Sequence, residues 1–305
     1  MPDMAVCYID LLGFSKLTER HVGAGVDLLG DYNDIISSTI DEDKLDDDTE
    51  CTLPDEETSS FLYFLPMSDS IFITSQSAST LVVRVSSFLS SVFMYTGYVY
   101  ANGAGMIDPR EVSVMEVSPD GINRSTQLWH PSLFRGGCSY GDVKLLSQYA
   151  LVNGHPVREH PNLAGPAITA AVNVEKGKKD IKGPRLFCNT SLYERLTRKD
   201  REYYIREDHC SGPEILWPIA AITDITGSAD QLRLVDIIKS ALGLLSAFWD
   251  QTYGGHYIEF FRLVVRSAIR VEQHSPRGLD IRAAIGRLQG EYRVDALSYL
   301  SDINF

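Results

Sequence analysis

The chain has 305 residues, enough for one large domain or two small ones, and its 44% hydrophobic and 23% charged content describes a packed globular protein rather than a disordered one. A formal charge of −13 argues against a nucleic-acid groove, which needs a basic face, yet leaves room for a nucleotide site built from a few cations and backbone amides. The five cysteines (Cys7, Cys51, Cys138, Cys188, Cys210) are odd in number, scattered and without a C-x-x-C pair, so neither a disulfide framework nor a zinc site is expected and a cytoplasmic setting fits.

Residues 4–11 (MAVCYIDL) read as a short buried strand that Gly13 ends, with no basic leader before it and no signal peptide expected. A helical pattern covers 15–40, and residues 41–57 form an acidic, core-free loop expected to be mobile. Two apolar runs, 61–65 and 71–74, flank Pro-Met-Ser-Asp-Ser and predict strands around a tight turn. A helix over 78–96 follows. Residues 85–107 carry no charge and are long enough to cross a bilayer. Serines 86, 87, 90 and 91 recur there at helical spacing, so an amphipathic helix running into a loop is expected, without stable membrane insertion.

An irregular segment extends to about 131. Then come a strand over 132–140 interrupted by Gly136 and Gly137, an Ala-rich helix over 164–175, a strand at 185–188, a helix at 191–196 and a last strand at 216–222. From Asp230 onward Leu234, Ile238, Ala241, Leu245 and Phe248 share one helical face, and Ile258, Phe261, Val265 and Ile269 another. The reading is an α+β domain over 1–222 and a helical extension over 223–305 that packs on the domain or on a second subunit.

Asp10 ends a strand just before Leu-Leu-Gly-Phe-Ser, where Gly13 lets backbone amides turn toward a bound anion. Asp69 occupies the apex of the Met-Ser-Asp-Ser turn. If those strands flank the first, the two carboxylates meet at one sheet end and suit a pair of Mg²⁺ or Mn²⁺ ions. Each aspartate alone is more often an ordinary turn residue. The histidines 130, 155, 160 and 209 lack ligand spacing, the lysines 176, 178, 179 and 182 read as a solvated run, and no G-x-S-x-G elbow is present.

The ordered set D-L-L-G-F-S, M-S-D-S, R-G-G-C-S-Y-G-D-V and G-P-A-I-T-A-A-V-N-V-E resembles the class III nucleotide cyclase domain over about residues 4–222. Within that family it looks most like the Pycsar pyrimidine cyclases of antiphage defence, which make cyclic UMP or cyclic CMP for a downstream effector. The resemblance implies a ferredoxin-like cyclase fold, an active site shared in a homodimer, and two metal ions per site. It assigns the metals to Asp10, Asp69 and the carbonyl of Leu11, the phosphate turn to Leu12, Gly13, Phe14 and Ser15, and a triphosphate contact to Arg135.

Departures from the pattern point to the substrate. Leu65 stands where adenine-reading relatives carry a lysine, and Asn162 where they carry its aspartate partner. An asparagine donates and accepts, which suits a pyrimidine edge, and Tyr63 on the same strand face is placed to stack on a small base or to pack in the sheet. The expected substrate is UTP, with CTP the alternative. The family's transition-state asparagine and arginine fall on Thr169 and Asn173, which lack the arginine's charge; Lys176, Arg158 and Arg206 are the other cations available. A cyclase-like sensor without turnover is the non-enzyme alternative. A GGDEF-type dinucleotide cyclase is disfavoured because Met67–Ser70 lacks that turn.

Overall fold

The computed structural model describes residues 3–14, 34, 61–101, 111–118, 121–128, 131–152, 155–178, 180–223, 228–248, 254–275, 279–289, 296–300 and 303. Most of the expected 15–40 helix, Ser15 and the acidic 41–57 loop lie outside these residues.

Strand β1 (Asp3–Leu11) is buried on both faces, which explains its continuous apolar run. It pairs antiparallel with β3 (Ser70–Ser75) on one side and β6 (Phe134–Asp142) on the other, and β3 pairs with β2 (Tyr63–Met67). The resulting order β6-β1-β3-β2, all antiparallel, is the ferredoxin-like arrangement the sequence predicts. The sheet continues past β6 through the parallel neighbour β9 (Leu186–Cys188) to β11 (Glu214–Ile215) and β10 (Ile205–Arg206), giving seven strands. The fold class is α+β.

Alternation along β1 divides the core in two. Ala5, Cys7, Ile9 and Leu11, with Ile71 and Ile73, belong to the large cluster that includes helix α1 (Ala78–Ala101). Met4 and Val6 belong to a smaller cluster under helix α2 (Pro166–Lys176), with Val143, Leu163, Ala167, Ile168 and Ala171. Short helices α3 (Thr190–Tyr193), α4 (Arg198–Tyr204) and α5 (Ile219–Ile222) connect the far strands. Three longer ones close the chain: α6 (Gln231–Phe248), α7 (Gly254–His274) and α8 (Ile281–Gln289).

Helices α6 and α7 of the extension pack against α1 of the same chain. Phe93 of α1 meets Phe260 of α7 edge-on at 4.6 Å, Trp217 stacks on Phe260 at 5.7 Å, and Tyr100 lies 5.9 Å from Phe248 of α6. Aromatic pairs of this kind add about 0.5–1.5 kcal/mol each beyond area burial. Of the residues that the sequence places on the tail's apolar faces, Leu234, Ile238, Ala241, Leu245, Phe248, Phe261 and Val265 are buried within one chain.

Three expectations need correction. The four serines of α1 do not share one solvent face: Ser87 is half-buried and Ser91 exposed, but Ser86 and Ser90 are buried, bonding the carbonyls of Val82 (2.7 Å) and Trp217 (3.2 Å). The helix is long and apolar enough to cross a membrane by composition, but Leu81, Val85, Phe88, Val92 and Phe93 lie in the domain core. The region to 131 is not irregular throughout, because β4 (Glu111–Ser118) and β5 (Gly121–Leu128) form a hairpin whose connection reads Pro-Asp. A second hairpin, β7 (Lys144–Val152) with β8 (His155–Ala164), is joined by Asn-Gly. Finally, 216–222 is not a strand: Pro218, with φ −64°, caps helix α5 and ends the ladder.

Candidate active site

Asp10 is the penultimate residue of β1, and Asp69 sits in the two-residue turn joining β2 to β3. The amide of Leu11 donates to the carbonyl of Asp69 at 2.9 Å, so the end of β1 is fastened to that turn and both aspartates occupy one end of the sheet. Ser70 lies directly across from Asp10, and its hydroxyl donates to Asp10 Oδ1 at 2.9 Å. The same hydroxyl lies 2.9 Å from the phenol of Tyr8, which shares the Asp10 face two residues earlier. Burial pushes the Asp10 carboxyl above its usual range; the Ser70 hydrogen bond opposes this, the Asp69 charge adds to it, and Arg135 opposes it. The Tyr8 phenol is raised as well, chiefly by burial.

Arg135 faces Asp10 from β6, in cross-strand register. Its guanidinium approaches Asp10 Oδ2 at 3.5 Å and reaches Glu175 of α2 at 2.8 Å through Nε. The Glu175 side chain is only 4% exposed, against 26% for Arg135, so the arginine spans from the sheet's interior to its edge. Gly137 makes this contact available. A Cβ there would stand 2.3 Å from the Ala171 carbonyl and 2.7 Å from the Val174 Cβ, so glycine alone lets α2 rest on the strand backbone.

The other residues marked by the sequence divide into three groups. Leu12 donates its amide to the Leu133 carbonyl at 2.8 Å, Gly13 has φ +86°, and Phe14 follows half-buried, so a phosphate cradle at this turn would draw on amides other than that of Leu12. Tyr63 and Leu65 lie on the Asp10 face of the sheet, half-buried against the smaller cluster. Leu65, Phe72 and Tyr8 form one cross-strand row, with Tyr8 and Phe72 at 5.0 Å. Asn162 turns its side-chain oxygen onto the amide of Leu163, a member of the same cluster. Thr169 and Asn173 are exposed on α2, one turn apart and away from the sheet. The chain does not bring these two together with the aspartates.

Among the alternative cations, Arg206 stands at the opposite sheet edge, paired with Asp208 at 2.8 Å and Glu214 at 3.3 Å. Lys176 is exposed at the end of α2, and the Arg158 side chain lies outside the described residues.

No family model matches the sequence, and no curated protein is similar to it. Two solved structures of adenylate cyclases from Trypanosoma brucei, described in their monomeric state, overlap 70% of this chain. They share 15% and 13% identity with it over 86% and 88% of their own length, at a TM-score of 0.38 in each case. A superposition that loose leaves the assignment to the chemistry of the site itself.

That chemistry suits a hard divalent cation. Two carboxylates at one sheet end, near enough that the Asp69 charge adds to the rise of the Asp10 carboxyl, are with a strand-end carbonyl oxygen donors of the kind such ions select. Among the described residues no third carboxylate, histidine or cysteine completes a metal-sized cluster with them, so substrate or solvent oxygens would fill the remaining positions.

Sequence reasoning passed over Glu175, Tyr8 and Ser70. Glu175 stands on the buried stripe of α2 with Ile168 and Ala171, and a charge on an apolar stripe signals a buried partner. Tyr8 was legible from strand alternation and Ser70 from its place after Asp69. The cysteines are also less scattered than they look: Cys7, Cys138 and Cys188 are buried free thiols in one row across three neighbouring strands.

Proposed function

We propose that this chain is a nucleotide cyclase of the class III type, closing a nucleoside triphosphate to its 3′,5′-cyclic monophosphate with release of pyrophosphate. The observation that carries this reading is the placement of Asp10 and Asp69 at one sheet end, with Arg135 alongside. Asp10, Asp69 and the Leu11 carbonyl would hold the Mg²⁺ or Mn²⁺ ions, which supply charge neutralisation and acidify the ribose 3′-hydroxyl. The protein's own part is orientation. Arg135 binds a triphosphate oxygen, the turn at Gly13 faces the β- and γ-phosphates, and the ribose 3′-oxygen is held in line with the α-phosphorus.

The base site is proposed at the row of Leu65, Phe72 and Tyr8, with Tyr63 and Asn162 at its margin. An apolar, aromatic wall without a charged reader leaves a purine's ring-edge groups without partners, at about 1–3 kcal/mol for each buried hydrogen bond lost. A pyrimidine asks for fewer contacts, and UTP is favoured over CTP by the sequence resemblance alone, which also suggests a second-messenger role in antiphage defence in the cytoplasm. Exposure of Thr169 and Asn173 on α2 supports assembly as a homodimer in which one chain's α2 faces the other chain's aspartates.

The test is incubation of the full chain and Mn²⁺ with equal UTP, CTP, ATP and GTP, reading cyclic products by mass spectrometry. Predominant cyclic UMP or cyclic CMP supports the whole reading; predominant cyclic AMP or cyclic GMP removes the base-site argument and keeps the reaction. Nucleotide binding without any product supports the second reading, a nucleotide sensor, which the absence of an arginine at Asn173 favours.

A further inference from the structure

The guanidinium of Arg135 lies between two carboxylates of unlike character. Glu175 is almost wholly buried, projects from a helix that rests directly on Gly137, and meets Arg135 Nε at 2.8 Å. Asp10 is partly exposed, is shared with Ser70, and stands 3.5 Å from the arginine, beyond the usual length of a charge-assisted hydrogen bond. A buried carboxylate that lost its cation would bear a heavy desolvation cost, so the Glu175 contact is the one that persists. The Asp10 contact is the one that can open. The small cleft beside this pair is also lined by Lys178 and Arg185, but Lys178 donates to the Ser211 carbonyl and Arg185 is held by Glu214 and Glu259. Neither competes for Asp10.

We propose that Glu175 is a positioning residue that holds Arg135 over Asp10 as a resident counter-ion in the metal-free chain, and retains the arginine at the site when a divalent cation takes that carboxylate. The inference rests on the metal role proposed for Asp10. It makes the arginine a competitor of the cation before it becomes a partner of the substrate's phosphates. Glu175 acts in both states through Arg135 and touches neither cation nor substrate.

Mn²⁺ binding to the nucleotide-free full chain, followed by the electron paramagnetic resonance of unbound Mn²⁺, tests this without turnover. Arg135→Gln should bind Mn²⁺ about tenfold or more tightly than wild type, since an opposite charge at this range shifts carboxylate equilibria by one unit or more. Glu175→Gln should bind it several-fold more weakly, because Arg135 then rests on Asp10 alone. The double variant should resemble Arg135→Gln, because Glu175 acts through the arginine; having lost both charges of the pair together, it also carries the comparison if Arg135→Gln does not fold. Unchanged or weaker binding in both variants that lack Arg135 overturns the inference while leaving the cyclase reading in place. So does a Glu175→Gln effect that persists undiminished without Arg135. A folded wild-type chain that binds no Mn²⁺ overturns both.

Discussion

The packing of α2 on β6 makes a quantitative prediction through two glycines. Gly137→Ala places a Cβ 2.3 Å from the Ala171 carbonyl, 2.7 Å from the Val174 Cβ and 2.8 Å from the Glu175 amide. Two of these are backbone atoms inside a hydrogen-bonded helix, so no rotamer change relieves them; the helix must lift or the strand must bend. Overpacking costs typically about 1–3 kcal/mol, and the upper half of that range is expected where backbone meets backbone. Gly286 is the control. It lies exposed within α8, and a Cβ there meets nothing within 4 Å. Gly286→Ala should stabilise by about 0.5–1 kcal/mol, the helix-interior cost of glycine. Urea denaturation followed by far-ultraviolet circular dichroism measures both, with unchanged m-values required for the comparison. Gly137→Ala should also loosen the Glu175–Arg135 pair, since the helix that moves carries the glutamate. A Gly137→Ala chain within about 0.5 kcal/mol of wild type would refute the direct seating of α2 on β6.

Three further outcomes follow from the same contacts. Asp10→Asn and Asp69→Asn should each abolish cyclic-product formation while keeping the wild-type melting temperature within about 3 °C, because both are partly exposed turn-end residues whose replacement is nearly isosteric; full activity in either removes the metal assignment. Arg185→Met should destabilise by about 3 kcal/mol in urea, since it strips the main partner from Glu214, which is fully buried and among the described residues keeps the 3.3 Å contact with Arg206. Glu259 is raised by burial, but Arg262 and Arg185 together hold it below its usual value of 4.5. Its folded-state pKa is thus below the unfolded one, so its contribution is fully present above about pH 4.5 and is lost as the pH falls through the folded-state pKa; Glu259→Gln should be less stable than wild type at pH 6, and the difference should shrink as acid takes the pH down through that value.

Local signals made much of the central sheet legible. The double-sided apolar run of β1, the Met-Ser-Asp-Ser turn and the Ala-rich α2 each specify one element without help from distant residues. The 216–222 segment misled because Leu-Trp-Pro-Ile-Ala-Ala-Ile is apolar throughout, and periodicity alone does not separate a buried strand from a short buried helix. Pro218 carried the answer. The tail's placement was not legible, since an apolar helix face does not name its cover; Phe93, Tyr100 and Trp217 supply that cover from far away in sequence. At the site, strand alternation placed Tyr63 and Leu65 on one strand face, but that Asp10 shares it required the register through β3, and the Arg135–Glu175 pair required knowing which helix lies over β6.

The two faces of the sheet do different work, and one segment joins them. The α1 face carries the large aromatic core that the tail completes, while the α2 face carries the carboxylates and Arg135. Between them runs the segment leading into β9. Gly183 donates its amide to His256 Nδ1 of α7, and Arg185 reaches Glu259 of the same helix. The carbonyl of Arg185 then accepts the amide of Gly136, the residue after Arg135. A residue of the tail is thus two contacts from the arginine that faces Asp10. This is the physical reason the extension belongs with the site: α7 fixes the backbone at 183–185, that backbone fixes β6 at Gly136, and the strand end sets where the guanidinium stands.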